Sequence, residues 1–238
     1  MNDTMEHPVP EPPELGERNG LAYALFVPPG APQSGVVILP GAGSAKESHF
    51  DFARGCRADG IAALAFDARG HGRSSGEFGP GAIDDVLAMV ELLRRHVGSV
   101  ALRGSSMGGF QAIHAAAADP SLSSVVAICP APEASLRQML RSGEPLRFRC
   151  NIPATELWLE SLDLGEAAAR LGPDTALLLL HARGDEQIPW TVSEELFAAA
   201  HEPKRLLVLP GGHHRSLQHD MELQALSRRW ILDAASRF

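Results

Sequence analysis

Short apolar runs alternate with amphipathic helical segments along most of the chain. The run GVVILPG (35–41) precedes a helical pattern over 46–60, and the run 61–70 precedes one over 81–98. Runs that are apolar at every position are typical of strands buried on both faces, and strand–helix alternation predicts right-handed βαβ units. The sequence therefore predicts an α/β domain, with a mostly parallel central sheet and helices on both faces.

The alternation continues toward the C-terminus, with one interruption at 131–172. There it gives way to short helical pieces and one possible strand, LRFRC, which predicts a small cap or insert above the sheet. The acidic, proline-rich residues 1–14 predict a flexible tail, and 15–238 a single domain. A predicted edge strand begins at Leu21. The other predicted strands cover 99–105, 123–130, 176–185 and 204–212, and the other predicted helices cover 107–120, 191–201 and 216–238.

Composition excludes several classes of partner. The net charge of -8 argues against nucleic acid and against an anionic membrane surface. The 238-residue chain has no apolar run of transmembrane length and no N-terminal signal pattern. Its three cysteines, Cys56, Cys129 and Cys150, form no paired motif, which favours reduced thiols. We therefore expect a cytoplasmic protein that is a monomer or a homodimer.

Two adjacent serines lie between the predicted strand at 99–105 and the helix that follows. Gly104 and Gly108 flank Ser106 symmetrically, as G-x-S-x-G, whereas Ser105 lacks this symmetry. In a nucleophile elbow the serine sits on a strained strand-to-helix turn, and residues two before and two after it must be nearly bare. The pattern predicts Ser106 as a nucleophile. The alternative is a glycine-rich turn needed only for close strand–helix packing.

A serine nucleophile needs a base, and the base needs an orienting acid. Asp185 follows the predicted strand 176–185, with Glu186 as the adjacent alternative, and His213 and His214 follow the strand 204–212. Ligands of parallel sheets bind beyond the carboxyl ends of the strands, so these side chains are expected near Ser106. The alternatives are a turn cap for the acid and surface or metal-binding roles for the histidines.

Two other stretches suggest a cofactor and are rejected. The segment PGAGSAKES resembles a phosphate loop, but Lys46 follows alanine and precedes glutamate, unlike a Walker motif. His213, His214, His219 and Asp220 suggest zinc, but an adjacent histidine pair is poor ligand spacing. We therefore expect no metal and no cofactor.

Residues 35–115 and 176–216 resemble the α/β-hydrolase superfamily, in its branch of small serine esterases, lipases and serine aminopeptidase-like enzymes. DARGHGRSSG resembles that family's D-x-R-G-H-G-x-S stretch, and RGSSMGG its elbow. HARGDEQIP resembles its acid turn, with Ala182 and Ile188 as departures, and LPGGHHRS its histidine turn. Pro40 stands where most relatives have histidine. The resemblance implies the α/β-hydrolase fold with a short cap insert.

The resemblance also implies roles for single residues. Ser106 would be the nucleophile, His214 rather than His213 its base, and Asp185 the acid that orients the base. The oxyanion hole would use the backbone N–H groups of Met107 and Ala42. Three residues of the insert, Met139, Leu157 and Trp158, are candidates for the acyl-binding wall, although they could equally bury the insert against the core.

These assignments together predict a cofactor-free serine hydrolase. Its substrate would be a small-molecule carboxylic ester or thioester with a short-to-medium acyl group, cleaved through an acyl-enzyme intermediate. A peptidase or amidase using the same triad is the first alternative. A non-catalytic binding protein of the same fold is the second.

Overall fold

A computed structural model describes residues 11–237, and eight strands within them form one sheet. The spatial order is β1-β2-β4-β3-β5-β6-β7-β8. The strands are β1 (Glu14–Arg18), β2 (Leu21–Phe26), β3 (Ser34–Leu39), β4 (Ala62–Phe66), β5 (Ser99–Ser105), β6 (Ser124–Ile128), β7 (Ala176–Ala182) and β8 (Lys204–Leu209).

The sheet is parallel from β4 through β8 and antiparallel only where β1 and β2 join it. Its central strands are buried on both faces, as their continuous apolar runs predict. Because the parallel strands share one direction, the chain leaves β5, β7 and β8 at the same edge of the sheet. The segments that carry the predicted nucleophile, acid and base all lie at this edge.

Helices cover both faces of the sheet and form two apolar cores. On one face α1 and α8 pack against the sheet; on the other, α2, α3, α6 and α7 do so. Among residues 11–237, no helix is both long and apolar enough to cross a membrane. The helices are α1 (Phe50–Ala58), α2 (Ala82–Leu93), α3 (Met107–Ala118), α4 (Glu133–Arg141), α5 (Ile152–Glu160), α6 (Leu164–Ala169), α7 (Thr191–Ala199) and α8 (Met221–Ala235).

Strand β1 was not predicted, and it corrects the expected edge of the sheet. It pairs with β2 through a two-residue turn, Asn19-Gly20, whose φ angles are 55° and 79°. These positive angles are those of a hairpin turn that favours Asn-Gly. The predicted tail 1–14 overlaps this strand at Glu14, and its residues 1–10 lie outside the described part of the chain. The strand from Leu21 is therefore the second strand of the sheet and not its edge.

The insert and the C-terminal segment also differ in detail from prediction. The possible strand LRFRC is not formed: Cys150 makes a single isolated bridge with Phe78. The insert instead consists of α4, α5 and α6. The last helix begins at Met221 and not at Ser216, because the Asp220 side chain caps it by accepting from the N–H groups of Glu222 and Leu223.

A buried ion pair connects the loop after β3 with the loop after β4. Lys46 Nζ donates to Asp67 Oδ2 at 2.8 Å, and the Lys46 backbone N–H donates to Oδ1 at 2.8 Å. Arg73 N–H donates to the same carboxylate at 2.9 Å. Both side chains are almost wholly buried, so this part of the family-like D-x-R-G-H-G stretch holds the loops above the sheet together.

We expect Asp67→Asn to lower the free energy of unfolding by about 3 kcal/mol, because it leaves the buried Lys46 ammonium without its main counter-charge. The matched control is Asp51→Asn, which breaks an exposed pair with Arg54 and should cost less than about 1 kcal/mol. Urea unfolding followed by circular dichroism measures both. Equal losses in the two variants would contradict a structural role for the buried pair.

Candidate active site

Ser106 lies at the turn between β5 and α3 and has a left-handed backbone, with φ 55° and ψ -118°. Its N–H donates to Ile128 O at 2.9 Å, and its carbonyl accepts from Phe110 N–H and Ala131 N–H. A non-glycine residue in this conformation is strained, and strain of this kind is typical of functional turns. The backbone contacts hold Ser106 in place while its side chain faces a cavity.

The two glycines around Ser106 are required by close backbone approaches. A Cβ atom at Gly104 would lie 2.1 Å from Gly108 O, and one at Gly108 would lie 2.2 Å from Leu39 O. No side chain can occupy either position unless the backbone moves. The G-x-S-x-G pattern therefore reflects a strand–helix contact so close that it excludes any larger residue.

Asp185 follows β7 and receives hydrogen bonds at both carboxylate oxygens. Its Oδ1 accepts from the N–H groups of Gln187 and Ile188, each at 2.9 Å. Its Oδ2 lies 2.8 Å from Nδ1 of His214, which comes from the loop after β8. The carboxylate is 0% exposed to solvent and the imidazole is also buried. The structure thus brings these two predicted residues together.

The hydrogen bonds fix the protonation of this pair. Burial acts to raise the pKa of Asp185, but donors at His181, His214, Ile188 and Gln187 together hold that pKa well below its usual range. Asp185 is then ionised at neutral pH and can only accept. His214 must therefore carry a proton on Nδ1, and in its neutral form the lone pair lies on Nε2.

The two alternative residues have other partners. Glu186 is exposed, and its Oε2 accepts the backbone N–H of His214 at 3.1 Å instead of contacting the imidazole. Its own backbone N–H and that of His214 lower the pKa of Glu186. His213 is exposed, and its Nδ1 accepts from Arg215 N–H at 3.3 Å. Within residues 11–237, His213 has no carboxylate within ion-pair distance.

The sequence did not single out His181, which is 0% exposed and contacts the same carboxylate. It is the sixth residue of β7, and its Nε2 lies 3.4 Å from Asp185 Oδ2 and 3.0 Å from Ile188 O. Its Nδ1 lies 2.7 Å from Ser193 Oγ on α7. The signal was a histidine within the apolar run LLLLHA, four residues before the acid.

Met107 and Ala42, the two residues whose backbone N–H groups were predicted to form the oxyanion hole, lie on segments that adjoin Ser106. Met107 is the first residue of α3, and Ala42 lies in the loop after β3, close to Ser106 because Gly41 packs there: a Cβ atom at Gly41 would lie 3.4 Å from Ser106 Cβ. Among the residues that the structure describes, neither N–H group has an acceptor. Ala42 lines the same cavity as Ser106, whereas Met107 is 0% exposed.

One cavity of about 860 Å³ contains the candidate residues, a size typical of small-molecule sites. Ser106, His214 and Ala42 line it, together with Met139 from α4. The apolar part of its wall consists of Ala42, Ala131, Leu136, Met139, Leu146, Phe148 and Ile188.

Leu157 and Trp158 do not line this cavity, which corrects two of the three predicted acyl-site residues. Leu157 is 70% exposed on α5. Trp158 packs edge-to-face on Phe78 and Phe110, with ring centroids 5.8 and 6.0 Å apart. The α5 helix covers the core from outside, so Trp158 packs on the core and Leu157 faces solvent.

Two groups of side chains have the composition of metal sites. Cys129 Sγ, a His181 nitrogen and an Asp185 oxygen lie within 4.8 Å of one another. Both ring nitrogens of His181 already have partners, and burial raises the pKa of the Cys129 thiol, so this group fits a hydrogen-bonded network better than a ligand set. In the predicted histidine cluster, His214 contacts Asp185 and His219 contacts Gln218.

The sequence matches a family model described as "Serine aminopeptidase, S33" over residues 30–150, just over half of the chain. The chain belongs to this family of α/β hydrolases. The matched region contains the Ser106 elbow and ends before Asp185 and His214. The predicted superfamily is thereby confirmed.

Two curated relatives support the family and differ from this chain in length. Rv2307c of Mycobacterium tuberculosis (strain ATCC 25618 / H37Rv) is 32% identical over 184 residues, which cover 75% of this chain and 60% of that protein. YfhR of Escherichia coli (strain K12) is 29% identical over 165 residues, which cover 63% of this chain and 51% of that protein. The chain therefore spans about half of the length of the curated relatives that it matches.

Solved structures with the same fold include esterases and a lipase. Est1E from Butyrivibrio proteoclasticus, with ferulic acid bound, has a TM-score of 0.74 and 18% identity, covering 94% of this chain and 99% of that one. The monoacylglycerol lipase of Paleococcus ferrophilus has a TM-score of 0.69 and 21% identity, covering 92% and 99%. At this level of identity the likeness shows the α/β-hydrolase fold, as predicted.

We expect Gly104→Ala to destabilise the protein by 1–3 kcal/mol or more, since the new methyl group would overlap Gly108 O. Gly172→Ala is the control, because a Cβ atom there meets nothing within 4 Å. Its effect should stay within about 0.5 kcal/mol. Thermal unfolding of both variants is the measurement, and similar melting temperatures would show that the elbow tolerates a side chain.

Proposed function

We propose that the protein is a serine hydrolase of small carboxylic esters or thioesters, with Ser106 as nucleophile, His214 as base and Asp185 as orienting acid. The observation that carries the proposal is the 2.8 Å contact between Asp185 and His214 at a cavity that Ser106 also lines. This is the side-chain set of a nucleophile, a base and the acid that holds the base. The family membership supports hydrolysis in general.

The proposed reaction has two halves. Ser106 Oγ attacks the acyl carbon while its proton passes to His214 Nε2, and the carbonyl oxygen becomes an oxyanion bound by the N–H groups of Ala42 and Met107. The intermediate collapses to an acyl-serine, and the leaving alcohol or thiol takes the proton from His214. Water then attacks the ester by the same proton route and releases the acid. Asp185 stays ionised throughout and stabilises the imidazolium.

The cavity wall supports a short-to-medium acyl group as the substrate. Leu136, Met139, Phe148 and Ile188 supply the larger apolar side chains, but much of the remaining lining is polar, which suits small esters better than long lipid chains. Structural neighbours include an acetyl xylan esterase from Thermoanaerobacterium, at a TM-score of 0.69 and 17% identity.

We further propose a cytoplasmic location, since Cys56, Cys129 and Cys150 are all unpaired.

Ser106→Ala should abolish hydrolysis of p-nitrophenyl butyrate, with kcat falling by several orders of magnitude, because it removes the oxygen that the proposal assigns to the acyl-enzyme. Ser105→Ala is the matched control and should retain most activity, since Ser105 lines the same cavity but is the last residue of β5 and does not lie at the strained turn. Labelling with a fluorophosphonate provides a second readout and should fail only in Ser106→Ala. Loss of activity in Ser105→Ala alone would move the nucleophile by one residue.

Met139→Ala should reduce the preference for hexanoyl over acetyl p-nitrophenyl esters by roughly four-fold or more, because each buried methylene contributes about 0.8 kcal/mol. Leu157→Ala is the control, and its exposed position predicts an unchanged preference. The measurement is kcat/KM across two to twelve acyl carbons. A steady rise beyond eight carbons would keep the mechanism and contradict the short-to-medium acyl group.

The family description makes an aminopeptidase the second candidate. The same triad can cleave amides, so aminoacyl p-nitroanilides belong in the same substrate panel. Turnover of these amides at rates matching or exceeding those of the esters would replace the esterase proposal. Fluorophosphonate labelling without turnover of esters or amides would show a reactive serine whose substrate is neither class. Absence of both labelling and turnover would favour the non-catalytic binding protein.

A further inference from the structure

We infer that His181 is a positioning residue of this site: it holds the Asp185 carboxylate and the turn that carries it through one shared N–H group. The inference rests on the proposed function, since Asp185 matters to catalysis only if His214 is the base. His181 lies on β7 and touches neither the cavity nor, in the proposed mechanism, any reacting atom. Its effect would pass through Asp185 to His214.

The partners of His181 fix its tautomer. Nε2 lies 3.0 Å from Ile188 O, a carbonyl that can only accept, so Nε2 carries the proton. The same N–H group faces Asp185 Oδ2 at 3.4 Å. Nδ1 then has a lone pair, and the Ser193 hydroxyl donates to it at 2.7 Å. Each ring nitrogen is therefore satisfied in one orientation of the ring only.

Ile188 closes the arrangement around the acid turn. Its N–H donates to Asp185 Oδ1, and its carbonyl accepts from His181, whose N–H also faces Oδ2. His181 thus contacts both the carboxylate and the residue that holds the other oxygen of that carboxylate. The side chains of His181 and Asp185 are both 0% exposed, so solvent water does not compete for these hydrogen bonds.

Four titratable groups face the Asp185 carboxylate from the elements around it. His181 comes from β7, His214 from the loop after β8, and Cys129 from the residue after β6. Glu186 lies next to it in the turn and binds the His214 backbone. The Cys129 thiol stays neutral because burial raises its pKa. His181 and His214 are thus the two imidazole groups whose N–H donors offset the negative charge of Asp185.

Removal of the His181 donor has a predictable sign. Oδ2 is shared by His181 and His214, so without His181 the carboxylate attracts the His214 proton more strongly. The protonated base is then favoured, and the acid limb of the kcat/KM profile moves to higher pH. Ile188 O also loses its donor, so the acid turn is held less firmly and kcat falls. KM changes less, because Leu136, Met139 and Phe148 supply most of the apolar wall and do not contact His181.

The test uses three variants of the full chain. His181→Leu removes the donor, and His181→Gln keeps a side-chain N–H near the place of Nε2. Ser193→Ala removes only the hydroxyl that fixes the ring. We expect kcat to fall about 10- to 100-fold in His181→Leu, the size that the loss of an outer partner has at metal sites, with KM within about three-fold. His181→Gln should recover most of the loss, and Ser193→Ala should show a smaller shift in the same direction.

A second readout does not need turnover. The proton NMR signal of His214 Nδ1–H, assigned by its absence in His214→Ala, should move in His181→Leu and return toward its original position in His181→Gln. A histidine tautomer spectrum of the wild-type protein should show the proton of His181 on Nε2. These signals test the inference even if the protein hydrolyses no ester, so failure of the proposed function and failure of the inference are distinguishable.

Each outcome decides the question. A His181→Leu protein with wild-type kcat, an unmoved acid limb and an unmoved NMR signal would overturn the inference. A uniform loss of kcat in both His181→Leu and His181→Gln, with no shift in the pH profile, would also overturn it and show a packing role only. If His181→Leu does not fold, Ser193→Ala decides, and an unchanged pH profile and an unchanged NMR signal in that variant would contradict the inference.

Discussion

The site depends on the backbone of one residue, Ser106, which is held at a positive φ that non-glycine residues rarely adopt. Strain of this kind costs of the order of 1–3 kcal/mol and persists only when the surroundings over-determine it. Here three backbone hydrogen bonds, to Ile128, Phe110 and Ala131, fix the residue from two neighbouring segments. The glycines at 104 and 108 let the strand, the helix and the loop after β3 approach closely enough for those bonds to form.

The parallel sheet then determines which other segments reach Ser106. Strands β5, β6, β7 and β8 are adjacent and run in the same direction, so the residues that follow them meet at one edge. Asp185 and His214 are 29 residues apart in sequence and 2.8 Å apart in space because β7 and β8 are neighbours. The turn after β7 supplies two N–H groups to the acid, which explains how a carboxylate can be wholly buried and remain ionised.

The predictable parts of this molecule are those in which one physical rule dominates. Continuous apolar runs gave the buried strands, and the glycine spacing located the elbow, because steric exclusion leaves few alternatives. Strand β1 was missed because ELGER is acidic and mostly exposed; its only signal was the Asn19-Gly20 turn. Leu157 and Trp158 were misplaced because apolar spacing shows that a helix has a buried side but not which surface covers it. His181 was missed because a single histidine within an apolar strand does not show, from sequence alone, which hydrogen bonds its ring makes.

Arg103 is another buried polar residue whose position the sequence did not predict, and burial of its charge costs more free energy than burial of a neutral histidine. It lies on β5, three residues before Ser106, and is among the largest fully buried side chains. Its guanidinium stacks over Phe52 at 4.0 Å and donates to Gln218 O at 3.0 Å, while burial lowers the pKa of Arg103 to about 10. Within residues 11–237, no carboxylate lies within ion-pair distance.

A buried charge without a counter-charge is a net cost to stability, and an apolar residue of similar volume often does better. What Arg103 provides is a fixed link between β5 and the segment that follows His214, because Gln218 belongs to the short 3-10 turn at 217–219. The Lys46–Asp67 pair links the loops after β3 and β4 in a similar way, and His181 links the acid turn to β7 and α7. These buried polar groups lie at the carboxyl edge of the sheet or directly beneath it. Burial of these polar atoms lowers the free energy of unfolding. Their hydrogen bonds also hold the loops that carry Ser106, Asp185 and His214 in one arrangement.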